Sequence, residues 1–444
     1  MEDLIVEHQT DSEPNSDSSR SRSTTIDRPN TIDSVSDRFH LVKLLFFMIG
    51  LSQLLPFNFL TTSEDFWMYK FRSLSNDTVI IIEDKNELQK FFSSYLTIVC
   101  CSPYLLIYFV CLTKWFQRIS FDLKNGLGFI SEIVIFVLIT ASVFINTDRN
   151  QLLYLITLLS MVFIISCWGN IIQSNFTGQA SLFPASYMRS MVNGQAISGL
   201  FASLAKIASL LSDRSLQFSV FCFFVLADLV LLITLFLYIY SRREPFYRLY
   251  SFENVSSSSS NNEPMNFELF IKIFKKLWPF CLTLLMTFWI TISLFPALFV
   301  LIIPENESDE IVPEKLILPI FCFLIFNLGD FLGRFIGSYM LLTKDSKITL
   351  LLISIFRIIF IPIFIYCNAQ PRHHLVLFSS EIYFVIFNFI FALLNGYLVL
   401  NVFVNAPLTI PEQHRQIAGY LLVSFLGFGL TLGSLTSPLI VDIL

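Results

Sequence analysis

The sequence Asn327-Leu-Gly-Asp-Phe-Leu-Gly-Arg334 lies inside an apolar run from Leu316 to about Leu342. Asp330 and Arg334 are four residues apart, so on a helix their side chains share one face, with Cβ atoms roughly 5–6 Å apart. An isolated charge at the centre of a membrane helix costs about 2.5–3.5 kcal/mol on insertion scales. The pair therefore predicts a helix whose charged face is turned toward the protein interior or toward water, where such groups mark a path or a binding site.

Three glycines accompany this pair. Gly329, Gly333 and Gly337 follow each other at four-residue intervals, a spacing that lets a second helix approach closely. An ion pair that is neutralised internally and only fixes helix packing would account for the same residues. The sequence therefore leaves two roles open for the pair, a binding site or a packing contact.

The composition indicates the class of protein. Of the 444 residues, 54% are hydrophobic and 14% are charged, whereas soluble domains carry roughly 25% charged residues. A membrane-spanning helix needs about 20 mostly apolar residues. We therefore predict an all-α polytopic membrane protein with eleven transmembrane helices. The predicted spans are approximately 41–62, 91–113, 126–146, 151–176, 182–211, 217–240, 278–303, 316–342, 348–367, 377–404 and 417–441.

The connections predict how these spans are organised. The longest inner connection, residues 241–277, contains five consecutive serines and has the composition of a flexible linker. We expect an amino-terminal bundle of six helices over residues 41–240 and a carboxy-terminal bundle of five over 278–444, a 6+5 arrangement common in transporters. Residues 1–40 are acidic and rich in serine, which predicts a disordered cytoplasmic tail.

The positive charges predict an orientation. With the amino terminus inside, the inner segments hold eighteen Lys and Arg residues and the outer loops eight. This asymmetry favours a cytoplasmic amino terminus and, with an odd number of spans, an extracellular carboxyl terminus. Asn76 and Asn306 begin sequons in predicted outer loops and are candidate glycosylation sites. We expect the plasma membrane as the location.

The sequence does not support several classes of function. The chain has no HExxH, GxSxG or phosphate-loop motif, no CxxC pair and no large basic patch, so neither an enzyme of these classes nor a nucleic-acid partner is expected. No metal or other cofactor is expected either. A distant alternative is an intramembrane aspartyl protease with Asp228 and Asp330 as its dyad. The Pro-Ala-Leu tripeptide of that family stands here at 296–298, before Asp330, although it should follow the second aspartate.

Polar side chains inside the predicted spans are the main functional signal. Each of them by itself is explained by a hydrogen bond between helices. Together they predict a polar cavity near the middle of the membrane, since they occur in both halves alongside prolines that bend helices. They include Asn58, Asn170, Gln173, Gln195, Thr291, Arg357, Asn395 and Asn401.

These residues resemble the equilibrative nucleoside transporter family. Leu54-Leu-Pro-Phe-Asn-Phe59 is similar to the LPWNFF signature of that family's first span, and Asp330-Phe-Leu-Gly-Arg334 looks like its eighth-span motif. Further similar segments, in the family's order, are 182–187, 193–195, 295–297, 395–397 and 406–407.

The resemblance implies a fold similar to the major facilitator architecture. It also implies facilitative, sodium-independent transport of purine and pyrimidine nucleosides by alternating access. Asn327, Asp330 and Arg334 would bind the substrate, the latter two at the ribose hydroxyls. The alternative is a member of the family that is proton-coupled or prefers nucleobases or organic cations.

The resemblance assigns the base to the amino-terminal half. Gln173 would contact the base, and Phe57 takes the place of an aromatic residue usually written Trp. The neighbouring Asn58 is expected to belong to the same binding site. The expected partners are nucleosides and the lipid bilayer, and the chain is expected to function as a monomer.

Overall fold

The computed structural model describes residues 36–72, 86–211, 215–251, 267–302, 314–370 and 375–443. These ranges are largely helical, and the described residues contribute only two isolated β-bridges. The candidate glycosylation sites Asn76 and Asn306 and most of the predicted tail lie outside them.

The helices follow the apolar runs of the sequence. In the amino-terminal half they are α1 (Leu41–Thr61), α2 (Glu64–Lys70), α3 (Glu87–Cys101), α4 (Pro103–Leu112), α5 (Lys114–Arg118), α6 (Phe121–Ser142), α7 (Gln151–Ala180), α8 (Ala185–Leu210), α9 (Leu216–Ser241) and α10 (Pro245–Tyr250). In the carboxy-terminal half they are α11 (Phe267–Leu294), α12 (Glu314–Ile317), α13 (Ile325–Tyr339), α14 (Lys347–Phe356), α15 (Phe360–Ile365), α16 (Glu381–Leu408) and α17 (Arg415–Ile443). A π-helical segment, Leu318–Leu324, joins α12 to α13.

Nine helical segments in the described part of the chain are long and apolar enough to cross a membrane. The predicted spans 91–113 and 182–211 are helical but do not meet this criterion. The first is divided into α3 and α4 where Pro103 interrupts the helical hydrogen bonding. The second, α8, carries amide and charged side chains along its length. The all-helical fold is confirmed, whereas the number of eleven spans stays a prediction.

Each half of the chain has an apolar core of its own. One buried cluster is built from residues between Leu51 and Leu231, and it includes the stacked rings of Phe59 and Phe223. The other is built from residues between Ile290 and Ala392. Helices from the two halves also touch, because α8 packs against α13 and α16, and α7 packs against α17.

Glycine allows the closest of the helix contacts in the carboxy-terminal half. A methyl group at Gly396 of α16 would overlap the backbone carbonyl of Asp330 in α13, and one at Gly333 would overlap the carbonyl of Leu393. The predicted glycine stripe therefore faces α16, as expected for a close helix contact. This approach brings Asn395, the neighbour of Gly396, beside Asp330.

Candidate functional site

A cavity of about 160 Å³, lined by apolar and polar side chains, lies where the two halves meet. Its wall includes side chains of α1, α4, α6, α7 and α8 from one half and of α11, α13, α16 and α17 from the other. The six residues predicted to bind a ligand all line it, namely Phe57, Asn58, Gln173, Asn327, Asp330 and Arg334. The structure thus brings them together at one site, and their contacts with a ligand stay a prediction.

The charged pair of α13 is closed and buried. Arg334 Nε donates to Asp330 Oδ2 at 2.9 Å, and the two residues are only 3% and 6% exposed. Arg334 Nη1 also donates to the carbonyl of Val192 at 2.7 Å and to Gln195 Oε1 at 3.3 Å, both on α8. The sequence left a binding role and a packing role open for this pair. The position of the guanidinium is compatible with both, because it faces the cavity and also joins the two halves.

The second oxygen of Asp330 starts a chain of hydrogen bonds through α16 and α11 to Arg357, which lies between α14 and α15. Asn395 Nδ2 donates to Asp330 Oδ1 at 2.6 Å, and Thr291 Oγ1 donates to Asn395 Oδ1 at 2.9 Å. Arg357 Nη2 donates in turn to Thr291 Oγ1 at 2.9 Å. These residues, Arg334, Asp330, Asn395, Thr291 and Arg357, are called the polar relay below.

Arg357 anchors the far end of the relay. It is fully buried, its Nη1 donates to the carbonyl of Thr287 at 2.9 Å, and its guanidinium lies 4.3 Å from the ring centre of Phe391. A buried guanidinium needs several such partners because its charge is costly to remove from water. Arg357 does not line the cavity, and its hydrogen bonds reach the site through Thr291 and Asn395.

Two of the predicted binding residues also connect helices. Asn327 Nδ2 donates to Ser203 Oγ of α8 at 2.9 Å, and Asn58 Nδ2 donates to Ser198 Oγ of the same helix at 3.2 Å. Each amide donor therefore has a partner within the protein. The role of an interhelical hydrogen bond, which the sequence left open for such amides, is present at both positions.

The remaining two predicted residues lie on the amino-terminal wall. Gln173 Oε1 accepts from the hydroxyl of Tyr104 at 2.5 Å, which fixes the orientation of the amide. Phe57 is partly buried and packs at the edge of the amino-terminal core. Its ring lines the cavity as well, so packing and ligand contact are compatible there.

Sequence reasoning missed some of the wall. Tyr104 and Glu132 line the cavity but were not among the predicted site residues. Glu132 carried a readable signal, because it is the only charged residue in the predicted span 126–146. Tyr104 carried no such signal, because a tyrosine in an apolar run does not indicate a site unless its partner Gln173 is known.

The aspartyl dyad of the distant alternative is not assembled. Asp228 accepts from Thr140 Oγ1 at 2.8 Å and does not line the cavity, whereas Asp330 pairs with Arg334 and does. Two catalytic carboxylates would have to share one site. The arrangement does not support this protease mechanism.

Two helical halves with separate cores, and a cavity with polar side chains from both in its wall, define a multi-pass membrane transporter. A solved structure agrees with this fold: the proton:xylose symporter XylE of the major facilitator superfamily has a TM-score of 0.58 at 13% sequence identity, over 91% of this chain and 89% of that one.

The chain belongs to the nucleoside transporter family. The family model described as nucleoside transporter matches residues 158–267 and 251–442. Equilibrative nucleoside transporter 1 of Homo sapiens is 30% identical over 90% of this chain and 97% of its own length. Equilibrative nucleotide transporter 8 of Arabidopsis thaliana is 24% identical over 92% of this chain and 98% of its own length. Family and fold are those of transporters rather than enzymes, which confirms the corresponding expectation.

Proposed function

We propose that the chain carries nucleosides across a membrane by facilitated diffusion, without coupling to sodium or to another ion gradient. The observation that supports this most directly is the buried Asp330–Arg334 pair facing a cavity lined by both halves. The family membership and the curated relatives point to the same substrate class.

The ribose is assigned to the charged pair. Ribose hydroxyls can donate to the Asp330 carboxylate and accept from the Arg334 guanidinium, so a diol matches both groups. Hydrogen bonds made at these buried residues form in an environment of low dielectric constant, where they are stronger than in water. Asn327, one turn earlier on α13, also lines the cavity.

The base is assigned to the amino-terminal wall. The Gln173 amide offers a donor and an acceptor, and Tyr104 holds it in one orientation. The ring of Phe57 offers a face for stacking, and Asn58 extends the same wall. Stacking does not distinguish strongly between bases, which agrees with transport of purine and pyrimidine nucleosides.

Alternating access requires two bodies that move against each other. We take residues 41–240 and 278–444 as these bodies and 241–277 as their connection, supported by the two separate apolar cores. The contacts of Arg334 with Val192 and Gln195 cross between them at the cavity wall. Breaking and re-forming these contacts would accompany each transport cycle.

The location belongs to the same proposal. We place the chain in the plasma membrane with a cytoplasmic amino terminus, an extracellular carboxyl terminus and a functional monomer. The charge asymmetry of the loops supports the orientation. Glycosylation at Asn76 and Asn306 stays a prediction.

Uptake of tritiated uridine into cells that express the chain tests the function, with vector-only cells as the control. We expect the intracellular uridine concentration to rise only to the external value, in the presence or absence of sodium. Accumulation above that value, abolished by a protonophore, would establish the proton-coupled alternative instead. Uptake of nucleobases or organic cations in place of uridine would contradict the assigned substrate class.

A further inference from the structure

Glu132 of α6 is a buried acidic side chain whose carboxylate has no partner among the described residues. It is 3% exposed and lines the cavity, yet no hydrogen bond or ion pair within the described part of the chain reaches it. Its Oε1 lies against Gly169 of α7, where a methyl group would come within 3.0 Å of that oxygen. The absence of a side chain at Gly169 therefore leaves room for the carboxylate beside α7.

A second unpaired polar group follows Gly169 directly on α7. Asn170 is 4% exposed and lines the cavity, and its buried Nδ2 has no hydrogen-bond partner in the described structure. Gln173, the proposed base contact, follows three residues later and also lines the cavity. Buried donors and acceptors without partners are costly, and native proteins keep few of them without a reason. A ligand that supplies the missing partners would provide that reason.

We propose that Glu132 and Asn170 recognise the Watson–Crick edge of a guanine base, which makes guanosine a preferred substrate. This inference rests on the proposed function and adds a base preference to it. In its ionised form Glu132 offers two acceptor oxygens, and Asn170 Nδ2 offers one donor. Guanine presents the complementary set, with the N1–H and N2–H donors side by side and the O6 acceptor next to them.

The other bases match this set less well. Hypoxanthine, the base of inosine, keeps N1–H and O6 but lacks the second donor. Adenine offers its N6 amino donors beside the N1 acceptor, and uracil places its single N–H between two carbonyl oxygens that a carboxylate repels. The expected order of preference at Glu132 is therefore guanosine, then inosine, with adenosine and uridine last.

Competition against uridine uptake measures this preference. Tritiated uridine uptake is inhibited with unlabelled guanosine, inosine or adenosine in cells that express the wild type, Glu132→Gln or Asn170→Ala, with surface abundance measured in parallel. In Glu132→Gln an N–H₂ group replaces one acceptor oxygen and faces a guanine donor. We expect the inhibitory concentration of guanosine to rise about 10- to 100-fold, the loss typical of a charge-assisted hydrogen bond. Inhibition by inosine should be weakened less, and inhibition by adenosine should change little.

Asn170→Ala separates the two residues. It removes the donor to O6, an acceptor that guanosine and inosine share. Inhibition by both nucleosides should therefore weaken by a similar factor of about 2 to 12. The matched control is Asp228→Asn, which makes the same exchange of acid for amide at a buried position outside the cavity. The order of inhibition by the three nucleosides should be the same in this control as in the wild type.

The outcomes separate this inference from the proposed function. If the wild type takes up no uridine, the proposed function fails. Two results would overturn the guanine assignment if uridine is transported. In one, Glu132→Gln leaves the ratio of guanosine to adenosine inhibition unchanged. In the other, Glu132→Gln weakens inhibition by adenosine alone. Should Glu132→Gln fail to reach the membrane, Gly169→Ala gives the same test, because its methyl group displaces Oε1. It should weaken guanosine more than adenosine, and equal inhibition in the variant and the wild type would overturn the proposal.

Discussion

The two halves of the chain contribute polar groups to one cavity but satisfy them in different ways. In the carboxy-terminal half, every member of the polar relay is hydrogen-bonded to the next, from Arg334 to the fully buried Arg357. In the amino-terminal half, the Glu132 carboxylate and Asn170 Nδ2 are buried without a partner in the described structure.

This difference indicates that the two halves recognise different parts of the substrate. Groups that are already held by protein partners keep their geometry when the ligand is absent, so they lose little conformational entropy on binding. Groups without partners gain the most from a ligand that completes their hydrogen bonds, and they reject a ligand that does not. The relay is therefore suited to a part common to all nucleosides, the ribose. The amino-terminal wall is suited to the part that varies.

The largest effect is expected from breaking the relay at the cavity. Arg334→Ala leaves the Asp330 carboxylate buried without its ion partner, a change that costs about 2–5 kcal/mol in buried pairs, or at least about 30-fold in binding. Initial uptake of uridine, adenosine and guanosine should fall together, measured per molecule at the cell surface.

A control for Arg334→Ala is Arg242→Ala. It breaks the partly exposed Arg242–Asp122 pair away from the cavity and should change uptake by less than about fivefold, as surface pairs contribute little. If Arg334→Ala instead removes the protein from the membrane and surviving molecules transport normally, the pair has only the packing role.

A smaller effect is expected at the far end of the relay. Arg357→Lys keeps the charge but cannot hold Thr287 O and Thr291 Oγ1 with the planar guanidinium geometry. Loss of one charge-assisted hydrogen bond should raise the KM for all nucleosides about tenfold. Arg357→Met, which also removes the charge, should raise the KM further.

Because Arg357 acts through Thr291 and Asn395, its variants should not alter discrimination between bases. A change in the ratio of guanosine to uridine uptake in Arg357→Lys would contradict the separation of the two walls. A normal KM together with normal surface abundance would contradict the role of Arg357 in the polar relay.

The smallest effect is expected on the amino-terminal wall at Gln173. Gln173→Ala removes an amide that the base can use, and a neutral hydrogen bond of this kind is worth about 2- to 12-fold. The relative uptake of purine and pyrimidine nucleosides should therefore shift by a factor in this range. Tyr104→Phe frees the Gln173 amide without removing it, so it should shift the same ratio by less. Equal losses for all nucleosides in Gln173→Ala would count against a base contact.

Much of the fold was readable from local sequence. Apolar runs of sufficient length predict helices because a backbone in lipid must satisfy its hydrogen bonds internally. The exceptions have local causes as well: Pro103 divides one predicted span, and the amide and charged side chains of α8 lower the apolar character of another. The glycine stripe of α13 predicted a close neighbour, but not that α16 would be that neighbour.

The site was only partly readable. The sequence by itself determined the Asp330–Arg334 pair, because a four-residue spacing on a helix fixes which side chains meet. Only the tertiary structure decided the partners of that pair, since Val192, Gln195 and Asn395 are distant in the chain and meet it through helix packing. The same holds for Glu132: the sequence reveals a charge in an apolar span, but only the fold leaves that charge unpaired beside Gly169 and facing the cavity.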